Sequence, residues 1–411
     1  MHRLRPVKAL VHDAVDATTL LVGEGHESSA RLVVGVASAF PGIKAPVEGV
    51  DSLRRLGTDG VLATVRWVNR AVEQLSDAAL DLAPQPVAPK AAIPLTETAL
   101  WTPAGAADQL VGVLNGVVGD HLHRRASGLD MGLRLRHDRS WLGLSPEELR
   151  RDLPQATGKL VVLVHGLATT ETSWSFGAGA GLGDPEATYG SLLQQDLGYT
   201  PLFVQYNTGL PIAASGQRLA QALSQLVAGW PVPVEELVLV GHSMGGLVCR
   251  VATWQAHQAE DPWLGHLSHV VCVGAPHRGA PLARLGHVTA ALFQGVDLPA
   301  TRIIGRILHT RSAGVKDLRH DEHTATGELV PGVGYAFLAG TLLPDPDHPV
   351  AEVLGDMLVT VRSAEGPQAA QGAPQVHVRR FGGVAHHQLQ ANRAVYDEIR
   401  RVLAGEEPGP L

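Results

Sequence analysis

From Lys159 onward, short apolar runs alternate with longer stretches that are apolar on one side only. Leu160–Val164, Thr200–Tyr206, Leu237–Val240, His269–Val273, Tyr335–Ala339 and Gln375–Arg379 read as strands. In Leu160–Val164 and Leu237–Val240 the apolar residues follow one another without polar alternation, as in strands buried on both faces. Tyr189–Leu197, Ala213–Ala228, Leu247–Gln258 and Asn392–Leu403 carry helical spacing. Strands interleaved with helices predict a mostly parallel sheet covered on both faces.

The first part of the chain reads as helical. Val61, Val65, Val68, Val72 and Leu75 fall at steps of four and three, a single apolar stripe. Packing inside a small bundle is the plain reading; a dimer seam or a surface resting on lipid are the alternatives. Leu82–Pro94 holds four prolines and reads as a strap. A second helical stretch, Pro103–Arg125, places Leu110, Val113, Leu114 and Val117 on one face. Met131–Arg136 is a candidate strand, and Ser145 followed by Pro146 marks a capped helix start.

Composition narrows the class. A chain of 411 residues exceeds one average domain, and with 45% apolar but only 4% aromatic residues its core is Leu, Val and Ala. The net charge of −7, with Lys and Arg dispersed, argues against a nucleic-acid surface. Cys249 and Cys272 sit in core elements and read as buried thiols. Acidic residues interrupt the early basic stretch, so no secretory signal is read, and Leu32–Ile43 is too short to span a membrane. The expectation is a soluble, cytoplasmic protein.

The candidate chemistry centres on Gly241-His-Ser-Met-Gly245, which follows Leu237–Val240 directly and runs into an apolar helix. Strand, tight turn and helix are the context in which G-x-S-x-G forms a nucleophile elbow. Ser243 is the candidate nucleophile, and the Met244 N–H, at the start of the helix, a candidate oxyanion donor. A second donor is expected from the Leu167 N–H, after the strand that ends in His165-Gly166. The acid belongs after a later strand: Asp356, between Gly355 and an apolar run, fits a partly desolvated turn, whereas Asp345 and Asp347 lie among prolines. The base belongs after the last strand, where His386 and His387 are adjacent; His386 is favoured and His387 held in reserve. His309, His320 and His323 lack metal-ligand spacing and read as polar loop, so no metal is expected.

Taken together, His165-Gly-Leu, Gly241-His-Ser-Met-Gly-Gly, the run Gly274–Pro281 (GAPHRGAP), residues 355–366 (GDMLVTVRSAEG) and His386-His-Gln-Leu-Gln390 resemble the α/β-hydrolase superfamily. More narrowly they resemble its lipase and GPI-inositol-deacylase-like esterase branch. The resemblance covers Lys159 to Leu403 and departs at Gln390, where that pattern carries an apolar residue. It implies an α/β fold with a mostly parallel central sheet covered by helices and a cap insertion; the extra helical N-terminal region lies outside it and is read from the apolar spacing alone. The expected organisation is a helical region over 1–125, a transitional segment over 126–157 and a catalytic domain over 158–405, with the cap at about 279–331.

The activity it implies is cleavage of a small-molecule or lipid ester through an acyl-enzyme, with no cofactor. Ser243, Asp356 and His386 are then the catalytic residues. Acyl transfer, thioester or polyester chemistry on the same machinery, and a non-catalytic binding protein on a hydrolase fold, are the alternatives.

Overall fold

The computed structural model describes residues 103–138, 140–280, 312–318, 327–366 and 375–406. The stripe from Val61 to Leu75, the strap, the apolar cap positions and His309, His320 and His323 lie outside the described residues.

The strands are β1 (Leu133–His137), β2 (Ser140–Trp141), β3 (Lys159–Val164), β4 (Thr200–Tyr206), β5 (Glu236–His242), β6 (Leu267–Val273), β7 (Gly334–Thr341) and β8 (Val376–Gly382). They form a single eight-stranded sheet in the order β2-β1-β4-β3-β5-β6-β7-β8. From β4 to β8 all neighbours are parallel. At the other end β1 runs antiparallel to β4 and turns back as the short β2. The longer helices are α1 (Pro103–Arg124), α2 (Pro146–Asp152), α3 (Tyr189–Leu197), α4 (Ile212–Gly229), α5 (Met244–Gln258) and α6 (Arg393–Leu403).

The uninterrupted apolar runs follow from this layering. In β3, Leu160, Val162 and Val164 face a core shared with Leu219 and Leu223 of α4 and Leu247 and Val251 of α5. Val161 and Leu163 face the other core, with Tyr189 and Leu193 of α3 and Val395, Tyr396 and Ile399 of α6. Alternate residues thus serve opposite faces and both must be apolar. Helix starts carry the expected chemistry. Ser145 caps α2 in a reciprocal box with Glu148, and Asn392 caps α6 through the Ala394 and Val395 N–H groups. Asn392 is therefore the residue before the helix rather than its first turn.

Helix α1 and the β1–β2 hairpin belong to the same compact unit as the sheet. Val113, Leu114 and Val117 of α1 are buried, as the apolar face predicts. Among the described residues no helix is long and apolar enough to cross a membrane.

One buried ion pair ties the hairpin to the turn that follows β3. Arg136 Nη1 donates to Glu171 Oε1 at 2.9 Å with both side chains about 5% exposed (6% and 5%). Gln205 Nε2 donates to the other Glu171 oxygen at 3.1 Å, and Arg136 Nε donates to Asp138 O at 2.8 Å. Removing the carboxylate takes away the counter-charge that Glu171 supplies to a desolvated guanidinium. Glu171→Ala should lower the unfolding free energy by about 3–5 kcal/mol in urea titration. The volume-matched pair Arg136→Met/Glu171→Leu should recover most of that loss.

Candidate active site

The C-terminal ends of β3, β5, β6, β7 and β8 open onto one edge of the sheet, where the candidate residues gather. β5 ends at His242, α5 begins at Met244, and Ser243 alone makes the turn with φ 55° and ψ −126°. A serine in this region is strained by about 1–3 kcal/mol, so the surroundings must hold it. The Ser243 N–H donates to Val273 O at the end of β6 at 2.9 Å, and Gly246 N–H donates back to Ser243 O at 3.0 Å. The glycines allow the crowding this requires. A Cβ on Gly241 would lie 2.5 Å from the Gly245 carbonyl carbon, and one on Gly245 would lie 2.6 Å from His165 O.

The two residues favoured as acid and base are in direct contact. His386 Nδ1–H donates to Asp356 Oδ2 at 2.7 Å, and His386 N–H donates to Asp356 O at 3.0 Å. The remaining carboxylate oxygen accepts from the Leu358 and Val359 N–H groups at 3.0 and 2.8 Å. Asp356 is fully buried in this tight turn, and His386 is 7% exposed. With the proton on Nδ1, the Nε2 lone pair of a neutral His386 is free to accept. The His387 ring is half-buried, and that partial burial and the neighbouring His386 lower its pKa. Asp345 is exposed and accepts the Asp347 N–H in a surface turn at 3.0 Å.

Gly274, the residue after Ser243's backbone partner Val273, lies beside this pair. A Cβ on Gly274 would lie 3.4 Å from Asp356 Oδ2 and 3.5 Å from His386 Cε1. The Ser243 hydroxyl has no hydrogen-bond partner among the described residues. On its other side, a Cβ on Gly166 would lie 3.0 Å from Ser243 Cβ. The next amide, Leu167 N–H, and the Met244 N–H donate to no partner among the described residues, whereas Ala168 N–H donates to Thr208 Oγ1 at 3.1 Å. Two free amides therefore lie on the loops that flank one serine.

Three further residues support the site. His242 Nε2–H donates to His386 O at 3.1 Å, and the two rings lie 4.7 Å apart. Burial, and then the charge His386 can carry, push the His242 pKa well below the usual histidine value. Gln390, the departure from the apolar pattern, is buried and accepts from Ser173 Oγ at 3.0 Å, while Tyr189 Oη–H donates to Leu389 O at 2.7 Å. Both bonds pin the turn that carries His386. His242 was legible in the motif itself, as the residue before Ser243; Ser173 and Thr208 carry no local signal.

The region 155–301 matches a family described as the PGAP1-like alpha/beta domain. The parallel sheet with its strand–serine–helix turn has the α/β-hydrolase fold. Solved structures similar to this chain include a lipase, BlEst2 of Bacillus licheniformis in mature form. It is 18% identical over 60% of this chain and 91% of that one, with a TM-score of 0.40. The NocB thioesterase domain, in covalent complex with a fluorophosphonate nocardicin G analogue, is 21% identical over 61% of this chain and 96% of that one (TM-score 0.36). No curated protein matches the chain.

Two buried histidines make the hydrolase fold acid-sensitive. Burial lowers the His165 pKa to about 4, its Nδ1–H donating to Gly166 O at 2.9 Å, and pushes the His242 pKa well below the usual histidine value. Both rings take up protons near pH 6.5 only when unfolded, so the unfolded chain binds more protons below that pH. Stability is complete above pH 6.5 and falls as pH drops toward 4, by up to about 1.4 kcal/mol per unit for each ring. Urea midpoints measured from pH 7.5 to 5 should fall accordingly, and His165→Asn should make the fall shallower. An unaltered slope in that variant would contradict the assignment.

Proposed function

We propose that this chain, with its α/β-hydrolase fold, is a serine hydrolase that cleaves carboxylic esters through an acyl-enzyme. The observation that carries the reading is the buried His386–Asp356 bond lying against Gly274, one residue from the carbonyl that holds the strained Ser243. A serine hydroxyl alone is a poor nucleophile, and an imidazole whose Nδ1–H is fixed by a carboxylate presents Nε2 as its base.

Ser243 Oγ attacks the ester carbonyl while His386 Nε2 takes its proton. The carbonyl oxygen becomes an oxyanion facing the Leu167 and Met244 N–H groups, with the N-terminus of α5 adding a favourable dipole. His386 then returns the proton to the alcohol oxygen as the C–O bond breaks, leaving an ester on Ser243. A water, deprotonated by the same nitrogen, attacks that ester; the carboxylic acid departs and Ser243 regains its proton. Asp356 stays ionised throughout and stabilises the imidazolium.

The test is hydrolysis of a nitrophenyl ester series from acetate to palmitate. Ser243→Ala should lower kcat by about 10³-fold or more, and Asp356→Asn by a comparable factor through the wrong tautomer of His386. His387→Gln should stay within about threefold of wild type, since that ring does not touch Asp356. Wild-type turnover that survives Ser243→Ala would contradict the proposal.

A further inference from the structure

Helix α1 lies outside the region matched to the family domain, yet its glycines meet the loop that carries Leu167. A Cβ on Gly112 would lie 2.8 Å from Thr170 Cγ2 and 3.0 Å from Thr169 O. One on Gly116 would lie 2.6, 2.7 and 3.0 Å from Ala168 Cβ, Cα and N. The helix backbone therefore rests against the backbone of the turn immediately after the proposed second oxyanion donor.

That turn is also held in an unfavourable conformation. Ala168 has φ 59° without being glycine, a region costly for a residue with a Cβ. Its N–H is taken by Thr208 Oγ1 at 3.1 Å, while the Leu167 N–H before it donates to no partner among the described residues. The helix is fixed from its other sides. Asn115, fully buried, donates to Val111 O and Leu129 O and accepts from Met131 N–H, at 2.8 to 3.1 Å. Ser312 Oγ–H donates to Gly116 O at 2.6 Å, and Ser312 N–H to Val117 O at 3.1 Å.

We propose that helix α1 is a positioning element of the oxyanion hole: its Gly112–Gly116 face presses the 167–170 turn into the conformation that leaves the Leu167 N–H pointing to the developing oxyanion. The inference rests on the serine-hydrolase reading. An oxyanion donor works only within a few tenths of an ångström of its place, and a displacement of about 1 Å costs on the order of 10²-fold. A methyl at 116 needs roughly that much room, because it meets backbone on a strained turn and not the end of a flexible side chain.

The experiment compares full-length variants by kcat, KM and thermal midpoint. Gly116→Ala should lower kcat about 10- to 100-fold with KM within about twofold. Adding Ala168→Gly, which removes the nearest methyl and suits the positive φ, should restore part of that loss. Leu122→Ala, a buried position on the same helix but outside this contact, should lower the thermal midpoint while leaving kcat of the folded enzyme unchanged. Should Gly116→Ala fail to fold, Gly112→Ala, whose methyl first meets the Thr170 side chain, carries the same comparison. Wild-type kcat in the glycine variants, or losses that only track the folded fraction as in Leu122→Ala, would overturn the inference. Turnover that persists in Ser243→Ala would break the underlying reading instead.

Discussion

The site depends on a crossing of backbones so close that side chains are excluded from it. β5 and α5 pass each other at Gly241 and Gly245, and Gly245 in turn lies against the end of β3. Only at that separation can Ser243 sit between strand and helix at φ 55°, with its N–H on the end of β6. The local cost is offset by the sheet. β3, β5 and β6 are parallel neighbours buried on both faces, so the strained residue is clamped by three strands that cannot relax independently. A strained turn in a loop of its own would instead relax.

The same sheet explains why distant residues converge. Parallel strands end on one edge, and the long crossovers between them deliver Leu167, Ser243, Gly274, Asp356 and His386 to that edge from 219 residues of chain (167 to 386). Each arrives on a short turn secured by its own hydrogen bonds. Asp356 gathers two amides of its own loop, His386 is tethered through His242, Gln390 and Leu389, and Ala168 hangs from Thr208. In the proposed reaction this rigidity matters more than any single contact, because charge develops at places fixed before substrate arrives.

Much of this was legible in the chain because double-sided burial writes itself as unbroken apolar runs. β3 to β7 were readable for that reason, with ends that differ by a few residues. The edge was legible only in part: Met131–Arg136 read as a candidate strand although Leu133–His137 mixes two arginines into its run, one of them held by a buried carboxylate 35 residues away, whereas Ser140–Trp141 is too short for any period. At the site, the choice between His386 and His387 has no local answer, since the two differ only in which ring meets Asp356 across 30 residues. The glycines of α1 were visible as letters, but their meaning lies in a loop about 50 residues downstream that only the folded chain brings near (116 to 168). Asn392 and Gln390 show the converse: ordinary residues whose roles, a cap and a buried acceptor, become clear from their partners.

The central claim is that Ser243 is an activated nucleophile. Its most direct test is mass-spectrometric mapping of the full-length protein after brief exposure to a fluorophosphonate. The account predicts one adduct per chain, located on Ser243 and slowed strongly by Asp356→Asn. Absence of an adduct under conditions that label other serine hydrolases, or an adduct on a different residue, would contradict it.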